Sequence, residues 1–73
     1  MNIQNTAQVK YNLDDLKYIQ NIVNIYKDDL EGLNFAIEAE EGSLENCEKS
    51  SEWFYLYTIN CLMTAKMIIE TYI

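Results

Sequence analysis

The sequence predicts a single all-α domain, folded as an antiparallel helical hairpin. Its 73 residues include no proline and only two glycines, so few positions can end a helix. From Leu16 to Ile37 the apolar residues recur at alternating spacings of three and four, the period of one helix face. A second apolar face of helical period runs from Leu44 to Tyr72, and strand-like alternation of period two is hard to find after residue 12.

The first helix is expected over about residues 12–41. Asn12 is a suitable N-cap, because its side chain can accept a hydrogen bond from a backbone N–H of the first turn. A cap at Thr6 would start the helix earlier, so residues 1–11 are expected to form either a mobile arm or one or two further turns. The predicted core stripe of this helix comprises Leu16, Ile19, Val23, Tyr26, Leu30, Leu33 and Ile37.

The second helix is expected over about residues 43–73, after a turn at Gly42. Glycine suits the left-handed residue that follows a helix end, and Ser43 could cap the next helix. Two adjacent serines, Ser50 and Ser51, could instead kink this helix or restart it. A break at Gly32 in the first helix would give the alternative architecture, a compact three-helix bundle. The predicted core face of the second helix comprises Leu44, Cys47, Phe54, Cys61, Ala65, Ile68 and Tyr72.

A second, mixed stripe lies opposite that core face, and we call it the outer stripe. It comprises Trp53, Leu56, Asn60, Met63, Thr64, Met67 and Thr71. Trp and Met are frequent in interaction surfaces, although an ordinary second core face is the more conservative interpretation. Because two helices cannot cover both stripes, we expect a third helix, a partner protein or a second copy in a homodimer to cover this one.

The charge is strongly negative and concentrated in the middle of the chain. Five lysines and twelve acidic residues give a net charge of -7, and residues 28–52 hold nine of the acids with one lysine. The nine are Asp28, Asp29, Glu31, Glu38, Glu40, Glu41, Glu45, Glu48 and Glu52. In a hairpin that turns at Gly42 they would form one negative pole. The acids could simply form a solvated face that confers solubility, or the pole could dock on a basic protein surface.

The sequence lacks the residue types that several classes of function usually require. The chain has no His and no Arg, so it lacks the commonest general base, the usual zinc ligand set and the bidentate phosphate clamp. Its negative charge opposes direct nucleic-acid binding. The calcium-loop pattern fails, because Lys27 occupies the position that requires Asp. Cys47 and Cys61 are expected to be buried free thiols, too far apart on one helix for a disulfide. No cofactor, enzyme activity, signal peptide or membrane span is expected, so the predicted location is cytoplasmic.

The predicted function is therefore protein–protein interaction. Asn, Ile, Lys and Tyr supply 28 of the 73 residues, a bias towards AT-rich codons that suits a low-GC bacterium or its phage. In size and composition alone, the chain resembles the small phage proteins that block host machinery, including anti-CRISPR proteins. The resemblance implies an inhibitor, in the cytoplasm of a bacterial host, that docks on a basic nucleic-acid-handling enzyme; the alternative is a homodimeric regulator or antitoxin-like adaptor. The predicted partner-binding residues are Glu38, Glu40, Glu41, Glu45, Glu48, Glu52, Trp53, Leu56, Met63 and Met67.

Overall fold

The structure, a computed structural model, describes residues 11–73 as three α-helices. They are α1 (Leu13–Tyr26), α2 (Leu30–Asn46) and α3 (Glu52–Tyr72), and one turn of 3-10 helix (Lys49–Ser51) leads directly into α3. Helices account for 87% of the described residues, which include no strand. The predicted all-α class is confirmed, whereas the bounds of the two long helices are not.

The start of α1 agrees with the predicted cap. The Asn12 side chain accepts a hydrogen bond from the Asp15 backbone N–H at 2.8 Å, and the Asp15 carboxylate accepts one from the Asn12 N–H at 2.9 Å. This reciprocal capping box satisfies two backbone donors that the helix itself leaves free. The alternative cap at Thr6 lies outside the described residues, as does the expectation of an arm or extra turns over residues 1–11, except at Tyr11. Tyr11 is not helical and packs against the core.

The predicted first helix is interrupted between Tyr26 and Leu30. Asp29 caps α2, because its side chain accepts from the Gly32 backbone N–H at 2.9 Å. Gly32 therefore lies in the first turn of α2, and the break precedes it by three residues. A Cβ on Gly32 would lie 2.9 Å from the Asp29 carboxyl carbon, so glycine gives the capping side chain its room. The three-helix alternative has the right number of helices, but the cap at Asp29 and not Gly32 causes the break.

The predicted turn at Gly42 is wrong, because Gly42 lies inside α2. Its φ is not positive, so it does not adopt the left-handed conformation of a helix-ending glycine. Because the helix continues through Gly42, Leu44 lies on the same face as Ile37, seven residues later, and is half-buried. The Asn46 amide donates to the Gly42 carbonyl at 3.0 Å near the end of the helix.

The second connection falls at Cys47–Ser51 rather than at Gly42 and Ser43. Cys47 is extended, with φ -87° and ψ 167°, and its thiol donates to the Leu44 carbonyl at 3.2 Å. Ser43 is helical and does not cap α3. The alternative in which Ser50 and Ser51 restart the helix agrees with the structure, since both lie in the 3-10 turn and Ser51 is the N-cap of α3.

The core lies between α3 and the other two helices. α3 packs against both α1 and α2, which contact each other much less. The buried side chains are Ile19, Ile22, Val23, Leu33, Ile37, Ile59, Cys61, Leu62, Ala65 and Ile69.

Three predicted core residues, Tyr26, Leu30 and Ile68, are partly buried and pack against this core, whereas five others lie outside it. Leu16 and Phe54 are each 51% exposed, Tyr72 is 80% exposed, and Leu44 and Cys47 are only half-buried. Phe54 and Tyr72 occupy the first and last turns of α3, which at about 31 Å is longer than either helix that covers it. Leu16 points away because the preceding residue, Asp15, faces α3, and adjacent helical residues diverge by about 100°.

Candidate protein-interaction surface

Three exposed glutamates form a line along the second half of α2. Glu38, Glu41 and Glu45 are spaced by three and four residues, so they lie on one side of the helix as neighbours one turn apart. We call these three residues the acidic row. Among residues 11–73 none of them takes part in a side-chain hydrogen bond.

Glu40 does not belong to the acidic row. It is half-buried and lies near Tyr18 of α1. Burial raises the pKa of Tyr18, and the nearby groups Cys61 and Glu40 raise that pKa further by their negative charge. Sequence spacing alone groups Glu40 with its neighbours, but its side chain faces α1.

The remaining acids divide between the two ends of α2. Glu48 is exposed in the second connection and Glu52 is the half-buried first residue of α3, so both continue the acidic region beyond the row. Asp28, Asp29 and Glu31 lie at the start of α2, which is about 25 Å long. The prediction of one pole for all nine acids is therefore wrong, because it depended on a turn at Gly42.

The acidic row occupies an electrostatically unfavourable part of the helix. Of the three, only Glu45 lies in the last turn of α2, which contains no basic residue, and a carboxylate there opposes the partial negative charge of the helix C-terminus. Like charges spaced by three or four residues add a repulsion of about 0.2–0.5 kcal/mol per pair. The row therefore lowers the local stability of α2.

An exposed aromatic group adjoins this acidic region in the first turn of α3. Trp53 is 69% exposed and meets Phe54 edge to face, with ring centroids 6.0 Å apart. Phe54 meets Tyr55 in the same manner at 5.4 Å. The sequence analysis assigned Phe54 to the core. Phe54 is exposed because α3 extends beyond the two helices that cover it.

The outer stripe lies on the surface of α3. Leu56, Met63 and Met67 are 47%, 45% and 59% exposed, and no member of the stripe is charged. The expectation that a third helix covers it is wrong for residues 11–73, because α1 and α2 both pack on the opposite face. One border is marked by Thr64, whose hydroxyl is hydrogen-bonded to the Tyr11 hydroxyl at 3.1 Å.

Two further exposed apolar side chains were not singled out from the sequence. Phe35 of α2 is 73% exposed and Ile25 of α1 is 66% exposed. The signal for Phe35 was available, since it lies two positions from both Leu33 and Ile37 and must face away from them.

A hydrogen bond and an aromatic stack join α1 to α3. The Tyr57 hydroxyl donates a hydrogen bond to the Asp15 carboxylate, and the ring of Tyr18 stacks on Tyr57 at 6.3 Å. This bond, followed by that of the Asn12 backbone N–H, lowers the pKa of Asp15. The same bond is the main reason that the pKa of Tyr57 is raised.

The described part of the chain contains no enclosed site. Residues 11–73 form no pocket and bring together no group of three or more His, Cys, Asp or Glu side chains that could hold a metal ion. Cys47 and Cys61 are free thiols, of which only Cys61 is fully buried. Among these residues, no helix has the length and apolar content that crossing a membrane requires.

Comparison with family models, curated proteins and solved structures finds no match to this chain. The interaction surface is therefore interpreted from its own chemistry. That the chain is not an enzyme stays a prediction.

Proposed function

We propose that this chain is a protein-binding module that docks its acidic row on a basic surface of a partner protein. The observation that carries the proposal is the line of three exposed glutamates in the second half of α2, where they lower the stability of the helix. Charged residues that cost local stability and gain no internal partner are typical of functional surfaces.

The row suits a partner rich in Lys and Arg. Each glutamate can accept charge-assisted hydrogen bonds, and a carboxylate can accept two parallel bonds from one guanidinium. The net charge of -7 would speed association with a cationic surface, and the field would also disfavour acidic partners.

Trp53, in the first turn of α3, would supply an apolar anchor. It follows Glu52 directly, and its 69% exposed indole is a large, rigid group of the kind that dominates the free energy of binding at many interfaces. Glu48 and Glu52 would contribute to the field around this anchor, whereas Glu40 would act mainly within the fold.

The partner class that fits best is an enzyme with a nucleic-acid-binding groove. Such grooves present Lys and Arg spaced to neutralise phosphates, and a row of carboxylates can occupy the same positions. Occupation would exclude nucleic acid and inhibit the enzyme. This is the activity implied by the resemblance in size and composition to phage inhibitors such as anti-CRISPR proteins.

The proposal is tested by capture of a binding protein from a lysate of a low-GC bacterium, followed by elution with duplex DNA. The parent chain should release its partner when DNA competes for the same groove. A triple variant of the acidic row, Glu38→Gln with Glu41→Gln and Glu45→Gln, should capture little of this protein.

The matched control removes three exposed charges elsewhere, through Asp14→Asn, Asp28→Asn and Glu70→Gln. It should capture and release the partner as the parent does. Equal capture by the row variant, with its helical circular dichroism unchanged, would show that the row only confers solubility. A partner that DNA does not displace would exclude the nucleic-acid groove.

A further inference from the structure

We propose that the outer stripe of α3 is a dimerisation surface that pairs with the same stripe of a second copy, with the two α3 helices antiparallel. This inference is independent of the acidic row. The stripe occupies the face of α3 that α1 and α2 leave uncovered, and a helix with apolar side chains on two faces is normally buried on both.

The spacing within the stripe is that of a helix pair. Trp53, Leu56, Asn60, Met63 and Met67 follow one another at intervals of three, four, three and four residues. This is the alternation of a and d positions by which two helices interlock their side chains. The outer stripe therefore has the regular period that packing against a second helix requires, which exposed apolar residues at irregular spacings would lack.

The distribution of charge selects a second copy and its direction. Two chains of charge -7 can approach only through a neutral face, and the stripe provides four turns without a charge. An antiparallel pair places the acidic second halves of α2 towards opposite ends of α3, about 31 Å apart, whereas a parallel pair would bring them side by side. At a Debye length of about 8 Å, only the parallel pair would suffer strong repulsion.

The antiparallel register also matches the stripe to itself. With the two-fold axis between Cys61 and Leu62, Leu56 faces Met67 of the second copy and Asn60 faces Met63 of the second copy. The two Asn60 residues then lie about 4.5 Å apart along the helix axis, where their amides can hydrogen-bond to each other. Trp53 falls at the rim, opposite Glu70 of the second copy, where its indole is only partly covered.

The area available predicts a weak dimer. The exposed parts of Leu56, Met63 and Met67 amount to about 300 Å² per copy, taking about 200 Å² for a whole large side chain, and Trp53 at the rim would add at most about 140 Å². Two copies would bury roughly 600–900 Å² before their polar neighbours are counted, which is below the ~1,200–2,000 Å² of stable specific interfaces. We therefore expect a weak, reversible dimer.

Sedimentation equilibrium of the full chain from about 5 μM to 500 μM tests the proposal. The parent should change from monomer to dimer over this range. Met63→Glu places a charge at the centre of the stripe and should raise the dissociation constant at least tenfold. Ile25→Glu adds the same charge to an exposed apolar position on α1, and should leave the dissociation constant unchanged.

Disulfide trapping tests the direction of the pair. In a Cys47→Ser background, with Cys61 fully buried, the single variants Leu56→Cys and Met67→Cys should form a mixed disulfide when combined and little homodisulfide when oxidised alone. A parent that stays monomeric throughout, or an equal effect of the two glutamate variants, would overturn the dimer. Homodisulfides in place of the mixed one would overturn the antiparallel geometry.

Discussion

Leu33 and Phe35 lie two positions apart on α2 and have opposite surroundings. Leu33 is fully buried in the core, whereas Phe35 is 73% exposed. Leu33→Ala should lower the free energy of unfolding by about 2–5 kcal/mol, because it removes buried methyl groups and leaves a cavity. Phe35→Ala, the matched control, should change it by less than about 0.5 kcal/mol.

Urea unfolding followed by circular dichroism, at one protein concentration, measures both variants. A fold of this size has little free energy to spare, so Leu33→Ala could leave much of the chain unfolded at 37 °C. Equal losses for the two variants would contradict the assignment of the core.

The bond between Tyr57 and Asp15 predicts a contribution to stability that depends on pH. The pKa of Asp15 is lowered in the folded chain, so the contribution is present above the unfolded pKa of about 3.9 and is lost as pH falls through the folded value. Tyr57→Phe removes the main cause of this shift. The parent should therefore lose more stability than Tyr57→Phe between pH 7 and pH 2, measured by urea midpoints. The same loss in both proteins would argue that the bond does not stabilise the fold.

The burial of individual residues was predictable where it depends only on the helix face on which they lie. The buried positions Ile19, Leu33 and Cys61 follow from apolar spacing alone. The position of Leu16 does not, because its exposure depends on Asp15 bonding to Tyr57, a contact between residues 42 apart in the sequence. Long-range polar contacts of this kind leave no periodic signal.

At the scale of the helices, α2 is stabilised at its start by the Asp29 cap and destabilised near its end by Gly42. Gly42 lies inside the helix, and a Cβ there would meet no atom within 4 Å. Gly42→Ala should therefore raise the free energy of unfolding by about 0.5–1 kcal/mol, since alanine loses less conformational entropy on forming a helix. Asp29→Ala should lower it by about 1 kcal/mol through loss of the N-cap.

Urea unfolding measures the two changes under identical conditions, and their opposite signs are the distinguishing result. Destabilisation by Gly42→Ala would indicate that the chain turns at Gly42 after all. No effect of Asp29→Ala would indicate that the break between α1 and α2 does not depend on this cap.

The helix breaks escaped prediction for a specific physical reason. The spacing from Tyr26 to Leu30 to Leu33 keeps the same phase across the first break, so the apolar pattern continues as if one helix ran through it. Glycine is a strong but ambiguous signal, and neither Gly32 nor Gly42 ends a helix here. The cap at Asn12 was predictable because an acidic residue follows it three positions later and completes the capping box.

At the scale of the whole molecule, two surfaces with different chemistry lie on different helices. The acidic row on α2 is charged and sensitive to salt, whereas the outer stripe on α3 is neutral. Composition and charge predicted both sets of residues. Their separation required the three-helix arrangement, which also places Glu40 of α2 near Tyr18 of α1 and divides the other acids between the ends of α2. An antiparallel dimer would present two acidic rows to a partner and increase its apparent affinity.

The most direct test of the docking claim is the salt dependence of the affinity between this chain and its purified, DNA-displaceable partner. For the parent, affinity should fall steeply between 0.1 M and 1 M NaCl, as the Debye length shrinks from about 10 Å to about 3 Å. The acidic-row variant should bind about tenfold more weakly at 0.1 M, from three exposed contacts at about 0.5 kcal/mol each, and should respond less to salt. The control lacking Asp14, Asp28 and Glu70 charges should behave more like the parent. A row variant with the affinity and salt dependence of the parent would contradict the account.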